Sequence, residues 1–281
     1  MRTLAPLVVG AGFIMALLFA IFASVFTPGF SLTPDPTAVS LFHKAPRHFE
    51  YSFEGPFGKY DHQQLQRGFQ VYKEVCSNCH SLKLVTFADL KQIGYNEAEV
   101  KAIAKGWQIK QPTISNKDGS PTTRDNIPSD NFPLRYANDT EARSQNNGAV
   151  PPDLSLITKA REDGSNYVPS LVTGYTDFPA AQAAQFPDTR PDNNHYYNPY
   201  FSALNIAMPP PLKVDGLVSY KDGTVATREQ MATDVGAFLT WAAEPKLEQR
   251  HHVGIASVIY LFIFAVLAYM SYRTIWGDKK H

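Results

Sequence analysis

Two long apolar runs enclose a polar middle. The first, from Leu4 to Phe26, has 23 residues without a charge, and the second, from His251 to Tyr272, has 22 residues whose only ionisable groups with a charge near neutral pH are histidines. At about 1.5 Å per residue, either run can cross a hydrocarbon layer of ~30 Å as a helix. The pattern predicts an N-terminal apolar segment (1–30), an extracytoplasmic domain (31–250), a transmembrane helix (251–275) and a cytoplasmic tail (276–281).

The C-terminal run has the features of a membrane anchor. Its core, from Val253 to Met270, is rich in Ile, Leu, Phe and Ala. Aromatic residues suited to a membrane interface, and then basic residues, follow along it: Tyr260, Tyr269, Tyr272, Trp276, Arg273, Lys279 and Lys280. Because basic residues favour the cytoplasmic side, we expect the C-terminus inside and the polar domain outside. The alternative is a buried core helix, although few soluble helices are apolar all round over this length.

The N-terminal run allows two interpretations. Arg2 followed by an apolar run is how a secretory signal begins, but the run exceeds the usual apolar region of roughly 7–15 residues. A cleavage site of the Ala-x-Ala kind is not found at the right spacing near its end. We therefore favour an uncleaved anchor, with a cleaved signal peptide as the alternative. Both place the following domain outside the cytoplasm.

The polar middle is predicted to be mainly α-helical, with short helices joined by long loops. An apolar stripe at helical spacing leads into Cys76, and Asn96 with Glu99 resembles a capping box. Convincing period-2 strands are scarce, and the loops are rich in Pro, Asn and Tyr. The expected helices are one carrying Leu65, Phe69, Tyr72 and Cys76, a short one over 87–93 ended by Gly94, one from Asn96 through Lys105, and one over 227–243.

Composition removes several classes of protein. The chain has 26 basic and 26 acidic residues, so it lacks the basic excess of a nucleic-acid-binding protein. With 44% hydrophobic residues it is not a disordered chain, and two cysteines exclude a disulfide scaffold or a four-Cys metal site. Four basic residues and one acidic residue lie in the apolar ends, which leaves the polar middle with an acidic excess of three.

The strongest chemical signal is Cys76-Ser-Asn-Cys79-His80, the C-x-x-C-H pattern of c-type haem attachment. Two thiols at this spacing can add to the two vinyl groups along one porphyrin edge, and the adjoining histidine can reach the iron. The alternatives are a thioredoxin-like redox pair and half of a zinc site. The first lacks a βαβ context, and the second lacks further cysteines.

Haem iron in an electron carrier needs a sixth ligand, and two methionines lie outside the start and the apolar ends. Met208 is followed by three prolines, which hold that segment extended and stiff, so it suits a thioether held against iron. Met231 falls on a helical stripe with Val235 and Phe238, where core packing is its expected role. From the residues alone, either methionine could be the sixth ligand. The other histidines are also possible ligands: His43, His48, His62, His195, His251, His252 and His281.

Several stretches, in this order and spacing, closely resemble the cytochrome c1 family, the haem-bearing subunits of cytochrome bc1 complexes. The resemblance covers roughly residues 40 to 280 and rests on segments 67–76, 142–155, 167–175, 198–201, 206–210 and 234–245. It implies a class I cytochrome c-like domain, mainly α, with long loop insertions and one C-terminal transmembrane helix. It also implies one covalently attached haem c. A stand-alone membrane cytochrome and a haem enzyme or gas sensor are the rival classes.

The resemblance assigns roles to individual residues. Cys76 and Cys79 become thioether sites, His80 and Met208 the axial ligands, and Arg161 the partner of a haem propionate, which suits a guanidinium. Tyr167 would neighbour that propionate, and a further group would line the haem crevice: Asn146, Asn147, Pro151 and Pro152.

The implied function is electron transfer within a quinol–cytochrome c reductase, without catalysis by this chain alone. One electron would pass from the Rieske iron–sulfur protein through the haem to a soluble or membrane-tethered c-type cytochrome. Cytochrome b and membrane lipid are the other expected partners, nucleic acid is not one, and the complex is expected to be dimeric. The location implied is the cell inner membrane, with the haem domain on the periplasmic side.

Overall fold

The computed structural model describes residues 4–26 and 35–277, and the chain divides into two compact units, the first ending at Leu41 and the second beginning at Phe42. The first unit holds helix α1 (Leu4–Val25) and most of α2 (Ala38–Phe42). Helix α1 is long and apolar enough to cross a membrane. Of the predicted segment 1–30, residues 1–3 and 27–30 lie outside the described residues.

The second unit is mainly helical, as predicted. Its helices after α2 are α3 (His62–Glu74), α4 (Glu97–Lys105), α5 (Asp139–Gln145), α6 (Ile157–Ala160), α7 (Gly164–Thr173), α8 (Ala180–Gln185), α9 (Arg228–Ala243) and α10 (Leu247–Trp276). Short 3-10 helices cover Cys76–Asn78, Phe87–Ile93 and Pro187–Thr189. The strands of the described part form two small antiparallel pairs, β1 (Gln111–Ile114) with β2 (Pro121–Arg124) and β3 (Tyr196–Tyr197) with β4 (Asn205–Ile206).

Local capping explains where several helices begin. The Asn96 side chain accepts a hydrogen bond from the Glu99 amide while the Glu99 carboxylate accepts one from the Asn96 amide, which confirms the predicted capping box. The helix predicted over 227–243 is confirmed as α9, capped by Thr227. The short helix over 87–93 is also found, but as a 3-10 helix, and Gly94 ends it in the left-handed conformation at φ 97°.

The predicted stripe through Cys76 needs one correction. Helix α3 ends at Glu74, and Cys76 begins a separate 3-10 turn. The α-helix stops there because Val75, at φ −115° and ψ −62°, departs from regular helical dihedral angles. Leu65, Phe69 and Tyr72 do form the buried face of α3.

The core is built where α3 crosses α9. Gly68 permits the close approach, because a Cβ at that position would overlap the Asp234 carbonyl oxygen. Beside the crossing lies a cluster of aromatic rings with centroid separations down to 4.3 Å: Phe69, Tyr72, Phe87, Trp107, Phe132 and Phe238. Helices α6 and α7 also pack on α9, which is why its middle turns are buried on every side. Met231 is 0% exposed there, as expected for a packing residue.

The last helix, α10, begins four residues before the predicted 251 and is apolar enough to cross a membrane. Its first turn is attached to the polar domain, since Leu247 is buried and the Glu248 carboxylate accepts a hydrogen bond from the Tyr60 amide at 2.9 Å. The length and apolar composition of α10 fit a membrane-anchored protein. Residues 278–281 of the predicted tail lie outside the described part of the chain.

Candidate haem site

The C-x-x-C-H motif is presented as a tight turn at the end of α3. The Ser77 hydroxyl donates to the Lys73 carbonyl at 2.7 Å, and the Asn78 amide donates to the Glu74 carbonyl at 3.1 Å. These bonds satisfy carbonyls that the end of a helix leaves without partners. The His80 amide donates to the Cys76 carbonyl at 2.9 Å, which closes the turn. Both thiols and the imidazole therefore belong to one ordered turn.

The chemistry of the two cysteines bears on the alternatives. Cys76 and Cys79 are not joined in a disulfide, and burial raises the pKa of the Cys76 thiol to about 12. A thioredoxin-like pair depends on a thiol pKa lowered below its ordinary value, which is the opposite direction. A zinc site would need further ligands, and within the described ranges no group of three or more His, Cys, Asp or Glu side chains comes together. The structure thus supports neither a thioredoxin-like redox pair nor a zinc site at these cysteines.

His80 is oriented by a carbonyl distant in sequence. Its Nδ1 lies 2.8 Å from the Pro152 carbonyl oxygen, which can only accept a hydrogen bond. Nδ1 must therefore carry the proton, and Nε2 keeps a free lone pair. Burial lowers the pKa of His80 below its ordinary value, so the ring is neutral near pH 7. A neutral imidazole with its second nitrogen hydrogen-bonded is the usual form of a metal-ligating histidine.

The segment 146–153 links the two halves of the site. At one end, the Asn147 side chain donates to the Ala207 carbonyl at 3.2 Å, next to Met208. At the other end, Pro152 holds His80. The Asn146 amide donates to the Ala142 carbonyl at 2.7 Å and to the Tyr136 hydroxyl at 2.9 Å, which secures the start of the segment. The predicted crevice residues Asn146, Asn147, Pro151 and Pro152 thus lie on one strap between the candidate axial ligands.

Met208 is held from two sides through its backbone. The Tyr175 hydroxyl donates to the Met208 carbonyl at 3.0 Å, and the Asn147 bond fixes the preceding peptide. The Met208 side chain is half-buried. By contrast, Met231 in α9 is fully enclosed by the hydrophobic core. This difference in burial favours Met208 over Met231 as the candidate ligand of the haem iron.

Arg161 and Tyr167 lie together, as the resemblance implies. The Arg161 guanidinium is a hydrogen-bonding neighbour of the Tyr167 hydroxyl; burial raises the pKa of that hydroxyl, and the guanidinium partly offsets the rise. Arg161 is exposed and donates to the Ala160 carbonyl at 3.0 Å. Among the described residues no carboxylate lies within ion-pair distance of it. The guanidinium is therefore available to a carboxylate from outside the chain.

Some of the rival histidines have local partners. His195 Nδ1 lies 2.7 Å from an Asp192 carboxylate oxygen, and His251 Nδ1 lies 3.1 Å from the Gly58 carbonyl oxygen. His281 is outside the described residues. Neither contact involves the turn that carries Cys76 and Cys79.

Two residues of the site were not assigned a role from the sequence. Tyr175 supports Met208, and Tyr136 supports Asn146. A signal for Tyr175 exists, since it closes the stretch 167–175 that carries part of the resemblance. No local pattern marks Tyr136, because its partner is ten residues away along an irregular loop.

Taken together, the side chains fit haem c. Two thiols that form no disulfide flank a turn, and a neutral imidazole keeps Nε2 free. The Met208 thioether lies on a doubly supported segment, and the Arg161 guanidinium has no carboxylate partner in the part of the chain that the structure describes. Thiols and an imidazole in this spacing suit haem attachment, a thioether is a known ligand of haem iron, and a guanidinium suits a propionate carboxylate.

Comparison with known proteins agrees with this site. The model of the cytochrome C1 family matches residues 51–279. Cytochrome c1 of Rhodospirillum rubrum is 41% identical over 83% of this chain and 88% of its own length. A mitochondrial cytochrome c1 heme protein of Solanum tuberosum is 44% identical over 83% of this chain and 85% of its own. A mitochondrial cytochrome b-c1 complex catalytic subunit of Candida albicans is 39% identical over 89% and 84%. The family match covers most of the chain and includes every residue of the candidate site, so this protein belongs to the cytochrome C1 family.

Proposed function

We propose that this chain transfers one electron from a Rieske iron–sulfur protein, through a single covalently bound haem c with His/Met ligation, to a c-type cytochrome. Members of the family are redox subunits of the cytochrome bc1 complex and are not catalytic alone.

The main support for this proposal is the position of the proton on the His80 ring. Its Nδ1–H is committed to the Pro152 carbonyl, so Nε2 is the nitrogen left for a metal. The ring belongs to the same turn as Cys76 and Cys79, which would fasten the porphyrin edge at both vinyl positions. Attachment and ligation thus come from one local element.

The remaining residues set how the site works. Haem, when bound, supplies a one-electron iron couple. Met208 would supply the second protein ligand to the haem iron, and His/Met ligation would give a higher reduction potential than His/His ligation. Arg161 and Tyr167 would hold a propionate, the first through a charge-assisted hydrogen bond and the second as a phenolic donor. Two protein ligands would leave the iron without an open position, so the site would support electron transfer rather than oxygen or gas chemistry.

The membrane arrangement follows from charge. Arg273 lies in the last turn of α10. A basic residue at that end favours the cytoplasmic side, and this supports the proposal of a haem domain on the periplasmic side of the cell inner membrane. Cytochrome b, the Rieske protein, membrane lipid and a c-type cytochrome are the proposed partners, in a dimeric complex. Support comes from the Candida albicans relative, which is named as a subunit of a cytochrome b-c1 complex.

The first test is a reduced-minus-oxidised spectrum of the tagged full-length protein purified from membranes in mild detergent. We expect b-type haem to co-purify with the c-type band and antimycin to perturb the b-type band. Cys76→Ser combined with Cys79→Ser should abolish haem that survives acid–acetone extraction, since only thioether bonds resist it. A spectrum with c-type haem alone, repeated in a gentler detergent, would favour a stand-alone membrane cytochrome.

The acidic excess of the polar middle predicts steering of a basic carrier. Electron transfer to a basic c-type cytochrome should slow as ionic strength rises, because salt screens exposed charges beyond about 8 Å at 0.15 M. Stopped-flow rates over a salt series measure this. An acidic carrier of similar potential is the control, and its rate should not fall. A rate for the basic carrier that is independent of salt would contradict steering.

Tyr175→Phe is expected to weaken the hold on Met208. The substitution removes the hydrogen bond to the Met208 carbonyl and leaves that acceptor without its donor, a cost of about 1 kcal/mol. The near-infrared charge-transfer band of Met-ligated ferric haem should disappear at lower temperature than in the wild type. Tyr196→Phe, at a neighbouring exposed ring, is the control and should leave the band unchanged. Equal behaviour of the two variants would mean that Tyr175 does not support the ligand.

A further inference from the structure

A large aromatic side chain is held in solvent beside the start of α10. Phe57 is 76% exposed, the most exposed of the large hydrophobic side chains that the structure describes. A single exposed apolar residue is ordinary on a protein surface. Phe57 differs from such residues because its loop is hydrogen-bonded to the start of α10.

The loop that carries Phe57 packs against the core through its backbone, with the Phe57 side chain on its outer side. A hydrogen bond from the Gly58 amide to the Gly55 carbonyl, at 3.3 Å, closes a tight turn with Phe57 inside it. A Cβ on Gly58 would overlap the backbone of Phe53, so the turn already lies against the core. The Phe53 ring itself is buried and stacks on the Tyr51 ring at a centroid separation of 4.8 Å. The backbone therefore projects Phe57 away from the domain.

The same loop is fastened to α10. The His251 Nδ1 lies 3.1 Å from the Gly58 carbonyl oxygen, and the Tyr60 amide donates to the Glu248 carboxylate at 2.9 Å. The apolar part of α10 begins at Val253, two residues beyond His251. At 1.5 Å per residue, His251 lies about 3 Å from the start of that apolar part along the helix axis. Phe57, next to Gly58, is thus at the level where the helix passes from polar to apolar.

We propose that Phe57 anchors the polar domain in the interfacial layer of the lipid bilayer, next to the point where α10 enters it. Aromatic rings are enriched at this depth in membrane proteins, because it offers an apolar environment beside polar headgroups. The charged groups around the loop are of both signs, Glu54, Lys59, Glu248 and Arg250, which suits a zwitterionic headgroup layer. The loop and α10 would then fix the tilt of the domain at two points.

The test places an environment-sensitive fluorophore at Phe57→Cys in the intact complex, reconstituted in phosphatidylcholine vesicles. A fraction of the lipid carries a nitroxide on the acyl chain close to the headgroup. We expect several-fold stronger quenching by these lipids at position 57 than at a control position. Wild-type protein taken through the same labelling measures any reaction at Cys76 and Cys79, so failure of haem attachment is recognised separately.

Val225→Cys is the matched control. Val225 is 75% exposed and precedes α9, whose 16 residues place about 24 Å between its two ends, and α10 follows the far end. Three outcomes would overturn the proposal: quenching at position 57 by aqueous iodide but not by nitroxide lipid, equal lipid quenching at both positions, or shielding of position 57 from both quenchers. The last would mean that another protein of the complex covers Phe57.

Discussion

Met208→Leu is expected to lower the reduction potential by a few hundred millivolts and to let the reduced protein bind carbon monoxide. Leucine has nearly the volume of methionine but no sulfur, so the substitution removes the proposed ligand with little change in packing. Axial ligands set haem potentials over a range of roughly 0.8 V, which makes the expected fall large. Redox titration and the carbon monoxide difference spectrum of the purified full-length protein measure the two effects.

Met231→Leu is the matched control, because it makes the same chemical change at the other candidate. Met231 is fully buried in α9, so this variant should lose some stability, less than about 1.5 kcal/mol, and keep its potential. If Met208→Leu kept the wild-type potential and excluded carbon monoxide, Met208 would not be the ligand. If Met231→Leu gave the larger shift, the assignment of the two methionines would be reversed.

Arg67→Ala is expected to destabilise the haem domain by about 3–5 kcal/mol, since it leaves a buried carboxylate without its cation. The Asp234 side chain is 0% exposed, and its oxygens accept hydrogen bonds from Arg67 Nε at 3.0 Å and from Gln230 Nε2 at 2.9 Å. This pair joins α3 to α9 at the crossing that delivers the haem-attachment turn. Urea denaturation of the purified protein, followed by circular dichroism, measures the loss.

The loss should depend on pH in a defined direction. Burial raises the pKa of Asp234 above its ordinary value even in the presence of Arg67, and removal of the guanidinium raises it further. At pH values above that raised pKa, the buried carboxylate is charged and unpaired, and this lowers the free energy of unfolding of the variant. As the pH falls through it, the folded state takes up a proton before the unfolded state does. The deficit of the variant relative to the wild type should therefore be largest near neutral pH and shrink on acidification.

Arg47→Ala is the control for this prediction. Arg47 and Glu229 form an ion pair at 3.2 Å whose side chains are 42% and 65% exposed, so its removal should cost less than about 1 kcal/mol. Arg67→Met combined with Asp234→Leu replaces both charges with apolar groups and should recover much of the stability. If Arg67→Ala cost no more than Arg47→Ala, the buried pair would not stabilise the helix crossing.

The family assignment bears on the rival classes of protein. A stand-alone membrane cytochrome would share the haem motif, but the match to the cytochrome C1 family extends over residues 51–279, including the strap 146–153 and the region around Met208. A gas sensor would need an open axial position. The doubly supported backbone of Met208 is the arrangement expected for a position kept closed.

The sequence by itself determined the elements whose signals are local. The C-x-x-C-H spacing, the capping box at Asn96, the helix over 227–243 and the apolar run of α10 each depend on residues within a few turns of one another. Their chemistry or periodicity can therefore be recognised without knowledge of the fold. The end of α3 at Glu74 escaped this reasoning, because the stripe of apolar residues continues to Cys76 although the backbone does not.

Tertiary structure alone decided how these elements work together. The proton on His80 is placed by Pro152, 72 residues away, and Arg67 meets Asp234 across 167 residues. Tyr175 meets Met208 across 33 residues, and Phe57 stands beside α10 because Gly58 contacts His251, 193 residues later. A hydrogen bond across such a separation depends on how distant helices and loops pack. No local periodicity encodes that packing, so only the folded chain shows which donor faces which acceptor.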